Sequence, residues 1–478
     1  MPIRTWHEFD LDAGSPKLDE TGLRGLSVRL LGSPAGATDA LGRKASPVTA
    51  AAIRERLGLL ETRDLDEDGL IALGADLADL LLPPGIRELL ARSLDGLGQD
   101  EGLRVRLRLD PAVADIPWEY LWVPRQGGQR DSTGFLALDP RISIVRDETV
   151  TGRVAADDGP RERRVVAVLA NPAIPGTRPL KLDAERVNLE TALAGVPGIS
   201  VDVLPEATLR GLTDLLLDGA DVFHFAGHGL EDTLILVGDQ DKPWPMPAGQ
   251  LAINLRARRV QLVVLGACDS GERDPRDRWS GVATRLIADG IPAVVAMQYR
   301  ISDRTAIAFG ERFYQALAAG WSLDEAVAAG RLAIFNVTTG GAADPRRARL
   351  WRDWGVPVLY LRPDAAVSLA SVAGVAERER LEEDLVSTVR VRTADVMQGG
   401  RVTGVKGGSG VVDVEVVTGD VHGEVTGLDR AEGAGADVDV TVRNVEAGGE
   451  VIGASLDTVG ARRRSRRQAP RASGEEEP

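Results

Sequence analysis

The chain has 478 residues, of which 43% are hydrophobic and 27% charged, as is typical of globular proteins. Its 72 acidic and 57 basic residues give a formal net charge of -15, which argues against binding to nucleic acid or to an anionic membrane. A single cysteine excludes an intramolecular disulfide framework and a zinc site made of cysteines alone. We therefore expect a cytoplasmic protein of several domains with no cofactor, no nucleic-acid partner and no membrane attachment.

The N-terminal third mixes strand and helix signals. Apolar alternation at 27–31 and 103–109 predicts half-buried strands. Between them, apolar residues at helical spacing over 69–97 predict helices, which the Pro83-Pro84-Gly85 sequence interrupts. The aromatic-rich segment 116–122 is typical of a local core.

From residue 165 to residue 361, short apolar runs alternate with helical patterns. Strands that are apolar on both faces and alternate with helices indicate a parallel sheet covered on both sides. The predicted strands are 165–170, 201–205, 221–227, 260–267, 291–297 and 356–361, and the predicted helices are 183–195, 208–219, 280–290, 303–319 and 323–335.

Beyond residue 362 the composition changes. A charged helical pattern at 377–385 precedes about 70 residues rich in Gly, Val, Thr and Asp. Glycine-bounded hexapeptides at 400–405, 423–428 and 449–454 recur at intervals of 23 and 26 residues. A strand-sized unit repeated at that period predicts stacked β-rungs, because one rung cannot bury its apolar face alone.

Two rare residue types meet at the predicted sheet edge. His224 and His228 lie at the end of one predicted strand, and Cys268, the single cysteine, ends the next. The carboxyl ends of successive parallel strands share one edge, so we expect His228 and Cys268 to lie close together. An imidazole beside a thiol promotes thiolate attack, and the N–H groups of Gly229 and Cys268 are candidates for an oxyanion hole. The alternative is a small core cysteine beside a structural histidine.

Residues 75–362 resemble the CHAT family of caspase-like cysteine peptidases, within the caspase–separase group. The resemblance is carried by PWEYL (117–121), NPAIPG (171–176) followed by Glu185, HFAGHG (224–229), VVLGACDSG (263–271) and the segment 290–320. It implies a caspase-type fold with a dyad of His228 and Cys268. The sequence departs from the family at Gly266, where the family often has asparagine.

The predicted fold class is α/β, with a caspase-like, mostly parallel sheet flanked by helices and a small Gly/Val-rich β repeat region at the C-terminus. We divide the chain into an N-terminal α+β region (either a separate module or an extension of the peptidase), the N-terminal part of the CHAT region, the catalytic α/β domain, a charged helical linker, the β repeat region and a disordered tail. In that order, their bounds are 1–74, 75–156, 157–362, 363–390, 391–460 and 461–478.

The residues that select the substrate are less clearly marked. An acidic pocket would select Arg or Lys before the cleaved bond, and an apolar pocket would select Leu or Met. Asp269, Gln298 and Asp303 lie near the expected active edge and form the candidate specificity pocket. We favour a basic preference, although relatives with that preference often carry aspartate at the position of Gly266. His224 either supports the dyad or is buried against the helix layer.

One acidic cluster resembles the start of a calcium loop. Asp64, Asp66, Asp68 and Gly69 have the right spacing, but the twelfth position is Ala75 instead of glutamate. We therefore predict a solvated acidic turn and no metal site.

The sequence thus predicts a cysteine endopeptidase that cleaves a protein substrate. The resemblance implies a regulated effector of a bacterial defence or stress pathway, switched on by a sensor or adaptor protein. Residues 391–460 are expected either to self-assemble, as a solenoid or an amyloid-like stack, or to form a compact domain that recognises a partner. The alternative function is a catalytically silent caspase-like scaffold or signalling adaptor that assembles through these repeats.

Overall fold

The computed structural model divides into two compact units, Met1–Val375 and Ala376–Pro478. In the second unit, the structure defines which strands pair and in what register. The described residues are 3–20, 22–37, 45–124, 130–147, 160–174, 180, 182–230, 232–266, 279–299, 301–339, 351–363, 365, 367, 369–376, 389–393, 401–408, 412–416, 424–431, 438–442 and 450–455.

The elements of the first unit follow the predicted alternation closely. Its helices are α1 (Pro47–Thr62), α2 (Glu67–Leu81), α3 (Pro84–Asp95), α4 (Leu182–Leu193), α5 (Leu209–Leu215), α6 (Ala248–Ala257), α7 (Trp279–Ala288), α8 (Asp303–Ala318) and α9 (Leu323–Thr339). Its strands are β1 (Thr5–Asp19), β2 (Gly22–Gly32), β3 (Glu101–Leu109), β4 (Ile142–Arg146), β5 (Arg163–Leu169), β6 (Ile199–Leu204), β7 (Val222–Ala226), β8 (His228–Leu230), β9 (Thr233–Val237), β10 (Pro243–Pro247), β11 (Leu262–Gly266), β12 (Ala293–Met297) and β13 (Pro357–Leu361).

Ten of these strands form one sheet within the described residues, in the order β2-β1-β3-β4-β13-β12-β11-β7-β5-β6. The strands β1, β3, β4 and β13 are parallel to one another, and so are β12, β11, β7, β5 and β6. In contrast, β2 is antiparallel to β1, and β12 is antiparallel to β13. The predicted mostly parallel α/β fold is confirmed, but apart from the edge strand β2 the sheet consists of two parallel blocks that run in opposite directions.

Strand β13, which corresponds to the predicted strand 356–361, runs antiparallel to its neighbour β12. The alternation of strands and helices in the sequence had indicated a parallel strand here. Two helices, α8 and α9, separate these strands along the chain, and only residues 319–322 connect the helices. Helices joined by so short a connection pack antiparallel. The chain therefore passes over the sheet twice, and β13 begins at the edge where β12 ends. A single crossover helix would have made the two strands parallel.

Apolar side chains cover both faces of the sheet. On one face, Val264 and Val295 belong to a cluster with residues of α4, α8 and α9. On the other face, Val263 and Leu265 pack in a cluster with residues of α5, α6 and α7. The alternation of neighbouring residues between two helix layers explains why these strands are apolar at every position.

The aromatic segment 116–122 forms a local core, as predicted. Trp118, Glu119 and Tyr120 are fully buried, and the hydroxyl of Tyr120 donates to the carbonyl of Arg352 at 2.6 Å. The Glu119 carboxylate accepts hydrogen bonds from Arg146 Nε and Nη2 at 3.1 and 2.7 Å. The paired arrangement offsets the cost of burying these two charges.

The acidic cluster near residue 66 begins a helix. Asp66 is the N-cap of α2, and its side chain accepts a hydrogen bond from the backbone N–H of Gly69 at 2.8 Å. Glu67 and Asp68 occupy the first turn, where the helix dipole favours negative charge. Helix formation thus accounts for the acidic residues at these positions.

The N-terminal strands belong to the same sheet as the rest of the first unit. β1 lies between β2 and β3. Arg104 of β3 pairs with Glu8 of β1 at 2.7 Å and with the buried Asp324 of α9 at 2.6 Å. These ion pairs connect the first strand to a helix more than 300 residues away along the chain.

Among the described residues, no individual helix combines the length and hydropathy needed to cross a membrane. By length and composition only, α2 and α3 together meet that requirement, with a bend of 105° between them.

The second unit contains two three-stranded parallel sheets among its described residues. One has the order β14 (Val389–Thr393), β16 (Val412–Val416), β18 (Val438–Val442), and the other β15 (Arg401–Gly408), β17 (Glu424–Ala431), β19 (Glu450–Ser455). Arg401, Glu424 and Glu450, the second residues of the three hexapeptides, are in register. The repeats thus occupy equivalent positions in successive strands, as expected for stacked rungs. The predicted helix at 377–385 and the tail 461–478 lie outside the described residues.

Candidate active site

The strands that precede His228 and Cys268 are neighbours in the sheet. β7 and β11 are parallel, and their last residues, Ala226 and Gly266, are in-register partners. The chain between these strands includes α6, which packs on one face of the sheet and serves as the expected crossover helix. His228 and Cys268 each follow one of these partners by two residues. The predicted dyad itself is not tested, because Cys268 and Asp269 lie outside the described residues.

A glycine allows the sharp bend between β7 and His228. A β-carbon at Gly227 would lie 2.9 Å from the carbonyl oxygen of Ala170 and 2.7 Å from the ring of Phe225. The backbone N–H of Ala170 donates to the carbonyl of Ala226 at 3.0 Å, which fixes the end of β7 against the end of β5. Any larger residue at position 227 would push these strand ends apart.

His228 begins a second, small sheet that the sequence pattern did not predict. β8 pairs antiparallel with β9, which in turn pairs antiparallel with β10. His228 is opposite Ile235, and Gly229 is opposite Leu234. The histidine is only 4% exposed. A strand ladder therefore fixes its backbone at the edge of the main sheet.

A cleft lies beside the ends of β7 and β11, between the sheet and helices α4 and α8. It encloses about 530 Å³, including the open space at its mouth. Apolar side chains form most of its wall, and a few polar groups lie among them. The lining residues are Glu185, Asn188, Leu189, Ala192, His224, Val264, Gly266, Met297, Ile301, Ala306, Phe309, Gly310, Phe313 and Tyr314.

A carboxylate and an imidazole meet in this cleft. His224 Nε2 lies 3.4 Å from Glu185 Oε1, with side chains that are 8% and 17% exposed. A β-carbon at Gly266 would lie 3.2 Å from Glu185 Oε1 and 3.4 Å from His224 Nε2. The absence of a side chain at Gly266 thus leaves room for both polar groups. His224 is buried next to α4. Burial against the helix layer was one of the two alternatives predicted for this residue.

Tyr314 also lines the cleft. Burial raises the pKa of Tyr314, and the negative charge of Glu185 raises it further. Tyr314 is therefore a neutral phenol at physiological pH and remains a hydrogen-bond donor. The cleft thus combines apolar walls with one carboxylate, one imidazole and the neutral hydroxyl of Tyr314.

Two of the residues predicted for the specificity pocket, Gln298 and Asp303, lie directly after β12 and at the start of α8. The Gln298 side-chain amide donates to the carbonyl of Asp115 at 2.6 Å, and its backbone N–H donates to the carbonyl of Val356 at 3.0 Å. These bonds hold the end of β12 in place. The backbone of Asp303 starts α8, directly after the N-cap Ser302. Their assignment to a specificity pocket stays a prediction.

Sequence reasoning missed most of the cleft. Glu185 was part of the recognised pattern but was not assigned to a pocket, and Met297, Phe309 and Phe313 read as ordinary core residues. The signal that identifies Glu185 is its position on a helix that follows a buried strand, where a carboxylate is unexpected on the packed side. Within the described part of the chain, no group of three or more His, Cys, Asp or Glu residues is arranged to hold a metal ion.

The fold is that of an α/β protein in which two neighbouring parallel strands end two positions before His228 and Cys268. A family model described as the CHAT domain matches residues 72–354, more than half of the chain. This protein belongs to the CHAT domain family, and the resemblance found in the sequence is confirmed.

Solved structures with a similar fold include three cysteine-peptidase systems. The Saccharomyces cerevisiae separase–securin complex matches at 15% identity over 58% of this chain and 17% of that chain, with a TM-score of 0.31. The Arg-specific cysteine proteinase gingipain R matches at 13% identity over 66% and 76%, with a TM-score of 0.34. Caspase-1 from Spodoptera frugiperda matches at 11% identity over 47% and 98%, with a TM-score of 0.28.

These structural likenesses concern the fold alone, and the first covers only a small part of the separase chain. No curated protein matches the sequence.

Proposed function

We propose that this chain is a cysteine endopeptidase in which His228 and Cys268 form the catalytic dyad. The observation that carries the proposal is the register of Ala226 with Gly266 at the ends of two parallel strands. Each partner precedes one member of the dyad by two residues, so the chain directs both toward one edge of the sheet. Membership of the CHAT domain family supports the same assignment.

The proposed reaction is hydrolysis of a peptide bond in two steps. The Cys268 sulfur, as its thiolate, attacks the carbonyl carbon of the substrate, while His228 holds the thiol proton. The C–N bond then breaks, and His228 gives this proton to the leaving amine, which leaves a thioester on Cys268. Water attacks the thioester, passes a proton through His228 to the sulfur, and releases the carboxylic acid product.

The carbonyl oxygen becomes an oxyanion during each attack and needs hydrogen-bond donors. We assign this role to the backbone N–H groups of Gly229 and Cys268. Gly229 lies in β8 directly after the histidine, so the same short strand fixes the base and one proposed donor. Loss of one such donor costs about 3 kcal/mol in a serine peptidase, whose reaction forms the same kind of oxyanion.

The cleft beside the dyad is proposed to hold the residue before the cleaved bond. It lies against Gly266, two residues before Cys268. Lysine and arginine have an apolar stem and a charged end, and the cleft offers apolar walls around the Glu185 carboxylate. We therefore propose cleavage after Arg or Lys, with Glu185 as the acidic recognition group in place of the aspartate that some relatives carry at the position of Gly266.

A mixed peptide library tests the proposal directly. Wild-type protein is expected to cleave after basic residues, and Cys268→Ala protein is expected to cleave nothing, as measured by mass spectrometry of the products. His228→Ala is expected to lose cleavage as well, and His7→Ala is its matched control. His7 lies on β1, far along the sheet from β7, and pairs with Glu101 at 3.3 Å. Cleavage that persists in Cys268→Ala would contradict the assignment.

The same experiment separates the peptidase from the silent scaffold. A scaffold requires no thiol reactivity, so absence of cleavage together with an unreactive Cys268 would favour that alternative. A defence or stress role, an activating sensor and a cytoplasmic location stay predictions, and they need partner capture and localisation in cells.

A further inference from the structure

Among its described residues, the second unit contains three rungs, each with one strand in each of two sheets. The first rung is β14 and β15, the second rung is β16 and β17, and the third rung is β18 and β19. All pairings between successive rungs are parallel and in register. Residues in register on adjacent strands share a face of the sheet, so like positions in the three rungs form columns.

One set of columns is apolar. Val389, Val412 and Val438 form one column, and Val391, Val414 and Val440 form another. In the second sheet, Val402, Val425 and Val451 are likewise in register. Each rung therefore offers its neighbours the same apolar positions, which allows the stack to be extended by any further rung of this pattern.

The charged columns differ from rung to rung. Four columns contain charged residues. In these four columns the first rung has only basic residues, the second rung has only acidic residues, and the third rung has two acidic and two uncharged residues. In register, these columns are Arg390-Asp413-Asp439, Arg392-Glu415-Thr441, Arg401-Glu424-Glu450 and Lys406-Asp429-Ser455.

This order leaves the two ends of the stack with opposite charge. Among the described strands, β14 and β15 pair on one side only, as do β18 and β19. Unpaired strand edges are templates for another chain. The edge at the first rung is basic through Arg390, Arg392, Arg401 and Lys406, and the edge at the third rung is acidic through Asp439 and Glu450.

We propose that the second unit assembles head to tail, with the third rung of one copy pairing in register with the first rung of the next copy. Asp439 would then occupy the column of the next copy's Arg390, and Glu450 that of its Arg401. The valine columns would continue across the junction in the same register. The partner is thus a second copy of this chain, and the proposal does not depend on peptidase activity.

The charge order also selects the direction of assembly. Pairing two first rungs would bring basic residues together, and pairing two third rungs would bring acidic residues together. Both closed two-fold arrangements are therefore disfavoured, and the head-to-tail arrangement leaves one open edge of each kind after every addition. An arrangement of this type forms open chains of copies instead of closed dimers.

The test uses the full-length chain and sedimentation velocity over a range of concentrations. Wild-type protein is expected to form species that grow in mass with concentration and dissociate as salt is raised. In Asp439→Lys/Glu450→Lys, the third rung becomes basic and repels the first rung of the next copy, so association is expected to weaken by more than about tenfold.

This substitution distinguishes loss of assembly from loss of folding. Within the chain, Asp439 is in register with Asp413, and Glu450 with Glu424, so lysine at both positions replaces two like-charged neighbours by opposite charges. The strand content measured by circular dichroism is therefore expected to be preserved while assembly is lost. Glu55→Lys/Glu206→Lys is the matched control, because it changes the net charge equally at exposed positions of the first unit.

A mixing experiment provides the stricter criterion. Arg390→Glu/Arg401→Glu places two acidic residues in each of the two columns that meet at the junction, whereas Asp439→Lys/Glu450→Lys places two basic residues in each, so neither variant should assemble alone. Mixed in equal amounts, they are expected to assemble in alternation. The proposal is overturned if the mixture stays monomeric, if the lysine variant assembles like wild type, or if wild type is monomeric at every concentration. The last result would indicate that flanking segments of the same chain cover the strand edges.

Discussion

Ala226 and Gly266 are in-register partners at the ends of two adjacent parallel strands. His228 and Cys268 each lie two positions after one of these partners, so the two segments that follow the pair are equal in length. This register matters for the proposed dyad, because a slip of one residue in either strand would shift one member of the dyad relative to the other. Sheet register is thus the structural quantity that the proposed chemistry depends on most directly.

Alkylation of Cys268 is expected to depend on His228. An imidazole near a thiol increases the thiolate fraction, so iodoacetamide should modify the wild-type protein at neutral pH. In His228→Ala, the pH at which the rate reaches half its maximum should move upward toward that of an ordinary thiol. Peptide mass mapping of timed samples measures this rate. An unchanged pH profile in His228→Ala would contradict a dyad, and His7→Ala should behave like wild type.

A side chain at position 266 is expected to reduce activity without unfolding the protein. A β-carbon there already comes within 3.4 Å of both Glu185 and His224, so the branched side chain of Gly266→Val would displace these groups from the cleft. We expect KM for Arg-containing peptides to rise at least about tenfold. Gly14→Val in β1 is the matched control, since a β-carbon at Gly14 would have no heavy atom within 4 Å. Equal effects of both changes would argue against a binding role for the cleft.

Neutralising Glu185 is expected to change specificity more than general activity. Glu185→Gln keeps the shape of the side chain but removes the charge proposed to recognise Lys or Arg. We expect kcat/KM for Arg peptides to fall about 10- to 100-fold, with a smaller change for Leu peptides. Glu190→Gln is the control on the same helix, where Glu190 pairs with Arg186 at 2.9 Å on a more exposed surface. A uniform loss for all peptides would assign Glu185 to folding.

The buried pair of Glu119 and Arg146 is expected to be important for stability. Glu119→Ala leaves the Arg146 guanidinium buried without its carboxylate, which should lower the free energy of unfolding by about 3–5 kcal/mol. Urea titration followed by tryptophan fluorescence measures the loss. The exposed pair of Arg92 and Glu88 provides the comparison, because Glu88→Ala should cost less than about 0.5 kcal/mol. A loss below about 1 kcal/mol for Glu119→Ala would show that the pair contributes little.

The carboxyl group of Asp353 makes the stability of the first unit depend on pH. Burial raises the pKa of Asp353 above its ordinary value of 3.8. The folded state therefore binds the proton more tightly than the unfolded state, so the contribution of this group to stability is greatest at low pH and falls as pH rises from about 3.8 through the raised value.

Asp353→Asn tests this dependence. The amide oxygen still accepts the hydrogen bonds that Thr305 and Ser302 donate at 2.8 and 3.2 Å, but the side chain no longer ionises. The stability of Asp353→Asn relative to wild type is expected to increase between pH 4 and pH 7 in parallel urea titrations. A relative stability that is flat or decreases with pH would contradict the sign of this shift.

The sequence predicted the parts of the fold that depend on local patterns. The runs at 221–227 and 260–267 became β7 and β11, and their apolar character at every position indicated burial on both faces. The antiparallel β13 was missed although two consecutive helices were predicted before it, because the strand–helix alternation was interpreted as one direction for every strand. The small sheet that carries His228 was missed because β8 is only three residues long.

The cleft was harder to predict, because its walls come from distant parts of the chain. Glu185 and His224 are 39 positions apart, and Phe313 lies much further along the chain, so only tertiary packing brings them together. Local acidic residues such as Asp303 were more visible in the sequence than Glu185. The packing of α4 and α8 against the sheet, a long-range property, determines which carboxylate faces the cleft.

The position of β13 shows that the segment matched by the family model is shorter than the segment needed for a stable fold. The family match ends at residue 354, yet β13 occupies the interior of the sheet between β4 and β12. A protein shortened to residues 72–354 would therefore lose its middle strand, together with β1 and β2 at one edge. Such a fragment would expose three new strand edges with unpaired backbone groups, those of β3, β4 and β12, and is expected to aggregate on expression. Protein production and domain exchange should accordingly use the boundaries of the compact unit, residues 1–375, as the smallest piece.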